Sequence, residues 1–195
     1  MTRVCFTVSL LLLTLAACGD TGAAPAPPPK SRFEAVSAKP SSSDDLAGFC
    51  DVRAEPGQGK PFQLPALEGD APATGSGARW VNLWATWCKP CVEELPMITA
   101  WQKQLSGQGK SVAVEFVSVD ETADAVKTFR AQHPDLPQST RLADPTGLPA
   151  VVSALGLDSG AGLPIHVFLE AGSKIRCVRA GAVTQSHFAT VSSLL

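Results

Sequence analysis

The 195-residue chain carries 16 Lys and Arg against 18 Asp and Glu, a formal net charge of -2, and is 45% hydrophobic. That length holds one domain of ordinary size plus a tail, and the charge balance offers no positive field for a polyanion, so no nucleic-acid partner is expected. Six cysteines are too few for a disulfide-dense miniprotein of this length, so the position of each decides its use. At the start, Arg3 supplies positive charge, Val4 to Leu15 is apolar apart from Thr7, Ser9 and Thr14, and Leu15-Ala16-Ala17-Cys18 follows. The pattern predicts a secretory signal over residues 1–17. Its apolar run falls short of the roughly 20 residues that a bilayer-spanning helix needs.

Leu15-Ala16-Ala17-Cys18 is similar to the lipobox of bacterial lipoproteins. The resemblance implies cleavage before Cys18, diacylation of its sulfur and acylation of the new N-terminus. The mature protein would then be held to a membrane in the cell envelope, facing the periplasm. An ordinary cleaved signal with Cys18 as a stray thiol is the alternative. By the lipoprotein sorting pattern, Gly19 in place of Asp leans away from inner-membrane retention, and the choice of membrane stays open. Residues 18–47 are rich in Ala, Pro and Ser, including Pro25-Ala26-Pro27-Pro28-Pro29 and Ser41-Ser42-Ser43, and read as a disordered tether. With Cys5 lost in the signal and Cys18 acylated, Cys50, Cys88, Cys91 and Cys177 remain in the domain of residues 48–195. An even number of cysteines survives in an oxidising compartment.

Within that domain, Arg79 to Ala85 is dense in aromatic and β-branched residues and predicts a buried strand. Val92, Leu95, Ile98, Trp101 and Leu105 then recur at helical spacing until Gly107 and Gly109, with a kink expected at Pro96. Ser111 to Val119 reads as a strand, and Thr122 to about Gln132 as a helix with Val126 and Phe129 inward. Alternation of this kind favours parallel strands and crossover helices. A loose region around Asp144 follows, then a short helix near Ala150 to Leu155, a strand Ile165 to Glu170, a turn at Ala171-Gly172-Ser173 and a strand Lys174 to Arg179. The tight turn makes the last two strands antiparallel. Thr184 caps a final helix with Phe188, Val191 and Leu195 on one face.

Cys88-Lys89-Pro90-Cys91 falls where the first long strand meets its helix, the context in which CxxC reads as a dithiol redox site. Unpaired N–H groups and the positive end of the helix dipole favour a thiolate on Cys88, and Lys89 adds positive charge nearby. Two intervening residues bring the second sulfur into bonding range, so Cys88 attacks a partner disulfide and Cys91 resolves the mixed disulfide. Pro90 stiffens the turn at a position that needs no N–H. A zinc knuckle needs a second such pair; Cys50 and Cys177 are lone and His133, His166 and His187 form no ligand pattern, so no metal or other cofactor is expected.

Trp84-Ala85-Thr86-Trp87-Cys88-Lys89-Pro90-Cys91 followed by Glu93-Glu94-Leu95-Pro96 resembles the TlpA/ResA branch of the thioredoxin superfamily. Phe62 to Gly69 resembles the N-terminal hairpin of that branch, and Gly162-Leu163-Pro164 its cis-proline loop, so the likeness runs from about Lys60 to the C-terminus. It implies an α/β thioredoxin fold, a central mixed sheet flanked by helices with an N-terminal hairpin extension, and thiol-disulfide exchange outside the cytoplasm. Cytoplasmic thioredoxins keep a buried Asp where this chain has Asn82, whose amide cannot accept the proton of Cys91. The resemblance makes Glu94 the acid beneath the dithiol that tunes the cysteines and shuttles a proton, with Glu93 exposed. It makes Leu163-Pro164 a cis bond that sets the Leu163 backbone against a substrate strand, with Trp87 beside it as part of the binding surface. Some TlpA-like proteins carry a second disulfide; Cys50 before the hairpin and Cys177 in the last strand form the pair expected here, two free buried thiols being the alternative.

The leading expectation is a monomeric, lipid-anchored reductase of exported protein disulfides. Apocytochrome c or an oxidase copper-site protein are substrates implied by the family alone. Such a reductase takes its electrons from a membrane donor of the DsbD/CcdA type. A net oxidase or isomerase is the alternative within the same chemistry, and a copper-handling module using two soft thiolates is an alternative outside it. Two Met in all, and no third soft ligand, weigh against copper handling. A peroxidase of the same fold lacks its Pro-x-x-x-Thr-x-x-Cys pattern here.

Overall fold

The computed structural model describes residues 43–69 and 77–195. The signal segment, Cys18 and most of the expected tether lie outside the described residues. The elements in order are α1 (Ser43–Phe49), β1 (Val52–Arg53), β2 (Leu67–Glu68), β3 (Ala78–Trp84), α2 (Lys89–Gly107), β4 (Val112–Ser118), α3 (Ala123–Gln132), β5 (Thr140–Leu142), α4 (Leu148–Ala154), β6 (Ile165–Glu170), β7 (Lys174–Ala180) and α5 (Phe188–Leu194). A seven-stranded sheet in the order β1-β7-β6-β3-β4-β5-β2 runs through the middle. The β3–β4 and β4–β5 pairs are parallel and the others antiparallel, giving a mixed sheet.

The central strand β3 follows from its composition. Trp80, Val81, Leu83 and Trp84 are fully or almost fully buried on its two faces, which is why the strand reads as a continuous apolar run instead of an alternation. Helix α2 lays Leu95, Ile98, Trp101 and Leu105 into the core. It continues through Pro96, which sits on the exposed side, where water can serve the carbonyl that loses its helical partner. Thr122 caps α3 by accepting the Ala125 N–H. Gly172 and Ser173 take positive φ in the β6–β7 turn. On α5, Val191 is buried and Phe188 and Leu195 pack partly buried against the core as expected, with Leu194 buried beside them.

Two N-terminal expectations are corrected. The tether does not extend to Ala47: α1 begins at Ser43, and Leu46 and Phe49 are buried in the core. Three-residue spacing of these two side chains gives α1 a face to bury despite the Ser- and Pro-rich sequence before it. Nor is there an N-terminal hairpin among the described residues. β1 pairs with β7 and β2 with β5, at opposite edges of the sheet. Pro61 and Pro65 lack the N–H donors that a hairpin ladder requires, whereas the open edges of β7 and β5 offer ready partners. The intervening chain follows β7 closely, with Phe62 N–H donating to Ser173 and Ile175 N–H to Lys60. A Cβ on Gly59 would lie 1.8 Å from the Ile175 carbonyl oxygen, so only glycine permits that approach. Cys50 and Cys177 are joined by a disulfide with Cα atoms 5.5 Å apart, which ties the end of α1 to β7.

Candidate active site

The chain leaves β3 at Trp84, turns through Ala85-Thr86-Trp87 and enters α2 at Lys89. Asp120, just past β4 and buried, holds that turn. One carboxylate oxygen accepts the Thr86 N–H at 3.0 Å, the other accepts the Thr86 hydroxyl at 2.7 Å, and the Ser118 hydroxyl donates at 2.6 Å. The turn is therefore anchored from the neighbouring strand. Arg141 donates to the Asp120 carbonyl at 3.1 Å while pairing with Glu68 at 2.6 Å, which links the clamp to the edge strand β2.

Cys88 is the N-cap of α2, with an extended backbone at φ -86° and ψ 93°. Its sulfur accepts the Cys91 N–H at 3.3 Å, the part that a capping oxygen plays elsewhere. Cys88 and Cys91 are bonded to each other. Pro90 lies in the first turn, where its missing N–H costs nothing. Lys89 extends into solvent and pairs with Glu93 at 3.7 Å, so solvent screens its influence on Cys88. Trp87, 70% exposed, is the one exposed large hydrophobic among the described residues, directly beside a cysteine pair that is otherwise buried. The Leu163–Pro164 bond is cis, and the buried Pro164 accepts the Gly181 N–H through its carbonyl.

Next along α2 lies a buried polar cluster. Glu94 is one helical turn beyond Cys91 on the same face and only 3% exposed. Its Oε1 accepts Asn82 Nδ2–H at 2.9 Å and its Oε2 accepts the Val183 N–H at 2.9 Å. His166 lies opposite Asn82 in the β3–β6 register, is fully buried, and brings Nε2 to 3.4 Å from Glu94 Oε1. A buried carboxylate without such partners would cost several kcal/mol, so this cluster is what keeps Glu94 in the core.

The structure thus bonds Cys88 to Cys91, joins Glu94, one helical turn on from Cys91, to Asn82, places Lys89 and Pro90 on the outer turn, and sets Cys50 and Cys177 at the β1–β7 edge. Sequence reasoning missed His166 and Asp120. His166 carried a signal: one polar residue inside Ile165-His166-Val167-Phe168-Leu169 must have a buried partner. For Asp120 no spacing pattern exists, since its partner Thr86 is 34 residues away. Among the described residues no group of three or more His, Cys, Asp or Glu is arranged to hold a metal ion.

The parallel β3–β4–β5 core, the antiparallel β6–β7 pair and a cysteine pair at the start of the helix after β3 define a thioredoxin fold with a CxxC site. No family model matches the chain. It is 35% identical over 83 residues to the thioredoxin-like protein YneN of Bacillus subtilis, covering 40% of this chain and 49% of that one. It is 35% identical over 78 residues to the thiol-disulfide oxidoreductase ResA of Bacillus cereus, covering 39% of each. A DsbE homologue of Paracoccus denitrificans, a thiol:disulfide interchange protein, is 32% identical over 97 residues, covering 50% of this chain and 46% of the relative. The matches thus span half or less of these curated relatives. Among solved structures, a DsbF homologue from Corynebacterium diphtheriae superposes with a TM-score of 0.54 at 17% identity, covering 74% of this chain and 92% of the other. A secreted thiol-disulfide isomerase from Corynebacterium glutamicum gives 0.53 at 18% identity over 72% and 88%. These superpositions carry the fold. Over the matched segments the chain is similar to these ResA-, YneN- and DsbE-type proteins.

Proposed function

We propose that the protein is a thiol-disulfide oxidoreductase that reduces disulfides of exported proteins. The observation that carries this reading is the placement of Cys88 as the N-cap of α2, with the Cys91 N–H directed at its sulfur. Helix N-termini favour negative charge, so reduction of the pair leaves Cys88 as the thiolate. In the reducing direction, Cys88 Sγ attacks a substrate disulfide and forms a mixed disulfide. The first substrate sulfur leaves as a thiolate and takes a proton from water. Cys91 then gives its proton to the Glu94 carboxylate and attacks Cys88 Sγ; the second substrate sulfur leaves and is protonated in turn. The products are a reduced substrate and the Cys88–Cys91 disulfide, which two electrons and two protons from a donor dithiol restore.

Trp87 and the Leu163 backbone form the surface against which the substrate strand lies. Electrons come from a membrane dithiol carrier of the DsbD/CcdA type, and Cys18, once acylated, keeps the domain at the membrane in the cell envelope as a monomer. The small-residue run before Cys18 supports that anchoring. Maturation of cytochrome c or of an oxidase is the use that this arrangement suits. The test is insulin-disulfide reduction by dithiothreitol: the parent accelerates it, Cys88→Ser does not, and a parent no faster than Cys88→Ser overturns the reading. Direction is tested by equilibration with glutathione. A potential near the roughly -270 mV of thioredoxin supports the reductase, and one near the roughly -120 mV of strong oxidants reverses it.

A further inference from the structure

The buried polar cluster contains a group that the reaction above does not use. We infer that His166 is the positioning residue of Glu94: its Nε2–H faces the Glu94 carboxylate and keeps it oriented to take the proton of Cys91. The inference rests on the proposed role of Glu94.

The tautomer follows from the geometry. Trp80 Nε1–H points at His166 Nδ1 from 3.3 Å, and Asn82 Nδ2–H does so from the same distance. An indole N–H is only a donor, so Nδ1 is an acceptor and the ring proton sits on Nε2. That is the nitrogen facing Glu94 Oε1 at 3.4 Å, and among the described residues it makes no hydrogen bond. Asn82 and Val183 N–H groups hydrogen-bond the buried Glu94 carboxylate, and the His166 Nε2–H faces its Oε1 within ion-pair distance.

The surroundings leave few competing charges. From α2, Glu94 is the group facing His166, and β3 contributes the neutral Trp80 and Asn82. On β7, Arg179 is the register partner of His166, but its guanidinium is engaged by the Phe49 and Ala182 carbonyls and stacks on the Phe49 ring. His187, beyond Phe49, is the remaining titratable neighbour, and its proton affinity is lowered by burial and then by Arg179 and His166.

Removal of the His166 donor leaves the Glu94 carboxylate less well oriented toward Cys91, so transfer of the Cys91 proton slows. Two substitutions separate this role from a structural one. His166→Gln keeps a donor where Nε2 stands, while His166→Asn keeps an acceptor where Nδ1 stands and loses the reach to Glu94. The measurement is the pH profile of the mixed-disulfide resolution rate in the reduced protein, with Glu94→Gln beside it. We expect the resolution rate of His166→Asn to fall about tenfold and that of His166→Gln to stay within twofold of the parent across the profile. If Asn matches the parent and Gln falls, His166 serves Trp80 and Asn82 instead and the inference fails. A Glu94→Gln profile identical to the parent overturns the role of Glu94 itself. Loss of insulin reduction by the parent overturns the enzyme reading. Should either His166 variant not fold, the parent decides by ¹⁵N resonance. A protonated Nε2 and bare Nδ1, with the Nε2 shift changing when the dithiol is reduced, are required; a proton on Nδ1 contradicts the inference.

Discussion

Cys50→Ala/Cys177→Ala removes the edge disulfide while leaving the CxxC pair intact. The bond joins positions separated by 127 residues, nearly the whole described domain. Closing a loop of that length removes chain entropy worth about 5 kcal/mol from the unfolded state, and native strain or residual unfolded structure brings the usual yield to roughly 2–5 kcal/mol. With a urea m-value of about 2 kcal/mol/M for a domain of this size, the midpoint falls by roughly 1–2.5 M. Equilibrium urea unfolding of the oxidised proteins, followed by tryptophan fluorescence, measures it. In strong reductant the parent loses the same cross-link, so the two curves should draw together there, leaving only the packing lost with the Cys177 sulfur in the core. Insulin reduction should be retained, because β7 and the bond lie two strands from β3 in the sheet order. Equal midpoints for the oxidised proteins would refute the reasoning, since they would mean that the cross-link does not constrain the unfolded chain.

Three further outcomes follow from particular contacts. Asp120→Ala strips Thr86 of the hydrogen bonds that anchor the turn before Cys88, so insulin reduction should fall about tenfold with a loss of about 1–3 kcal/mol in urea unfolding; an unaltered rate would show that the clamp does not position the dithiol. Trp87→Ala touches an exposed side chain, so stability should stay within about 0.5 kcal/mol while KM for a protein disulfide rises severalfold; an unchanged KM removes Trp87 from the binding surface. For His187, burial disfavours the charged ring first, with Arg179 and His166 adding to the effect. Above pH 6.5 both folded and unfolded chains hold it neutral, and below that value the unfolded chain takes the proton first, so stability declines toward acid pH. His187→Asn keeps an acceptor where Nδ1 stands for the Thr184 N–H and should flatten that decline; a stability curve of unchanged slope between pH 7 and pH 5 would count against it.

How far the residues themselves disclosed the molecule depends on the range of each interaction. β3, α2, β4, α3, β6 and β7 each carry their period or their apolar run within a few residues, and the turn at Gly172 dictates the antiparallel return. CxxC at a strand-to-helix junction is equally local. The edge strands β1 and β2 have two residues each, too few for any period, and form only because β7 and β5 present open edges. β5, three residues long, is hidden for the same reason. Helix α1 is masked by the composition before it and stands because Leu46 and Phe49 find a core made by distant segments. Glu94 was legible through the motif that follows Cys91. His166 was visible only as an unexplained polar residue in an apolar strand, because its meaning depends on Asn82 and Glu94, 84 residues away and 72 residues away in sequence.

The most direct test of the redox assignment is a trap. Cys91→Ser, incubated with a protein disulfide and digested for mass spectrometry, should hold the substrate in a mixed disulfide on Cys88 that dithiothreitol releases, with Cys50 and Cys177 still bonded to each other. No adduct, or an adduct on Cys50 or Cys177 instead of Cys88, would contradict the assignment of Cys88 as the attacking sulfur and with it the proposed function.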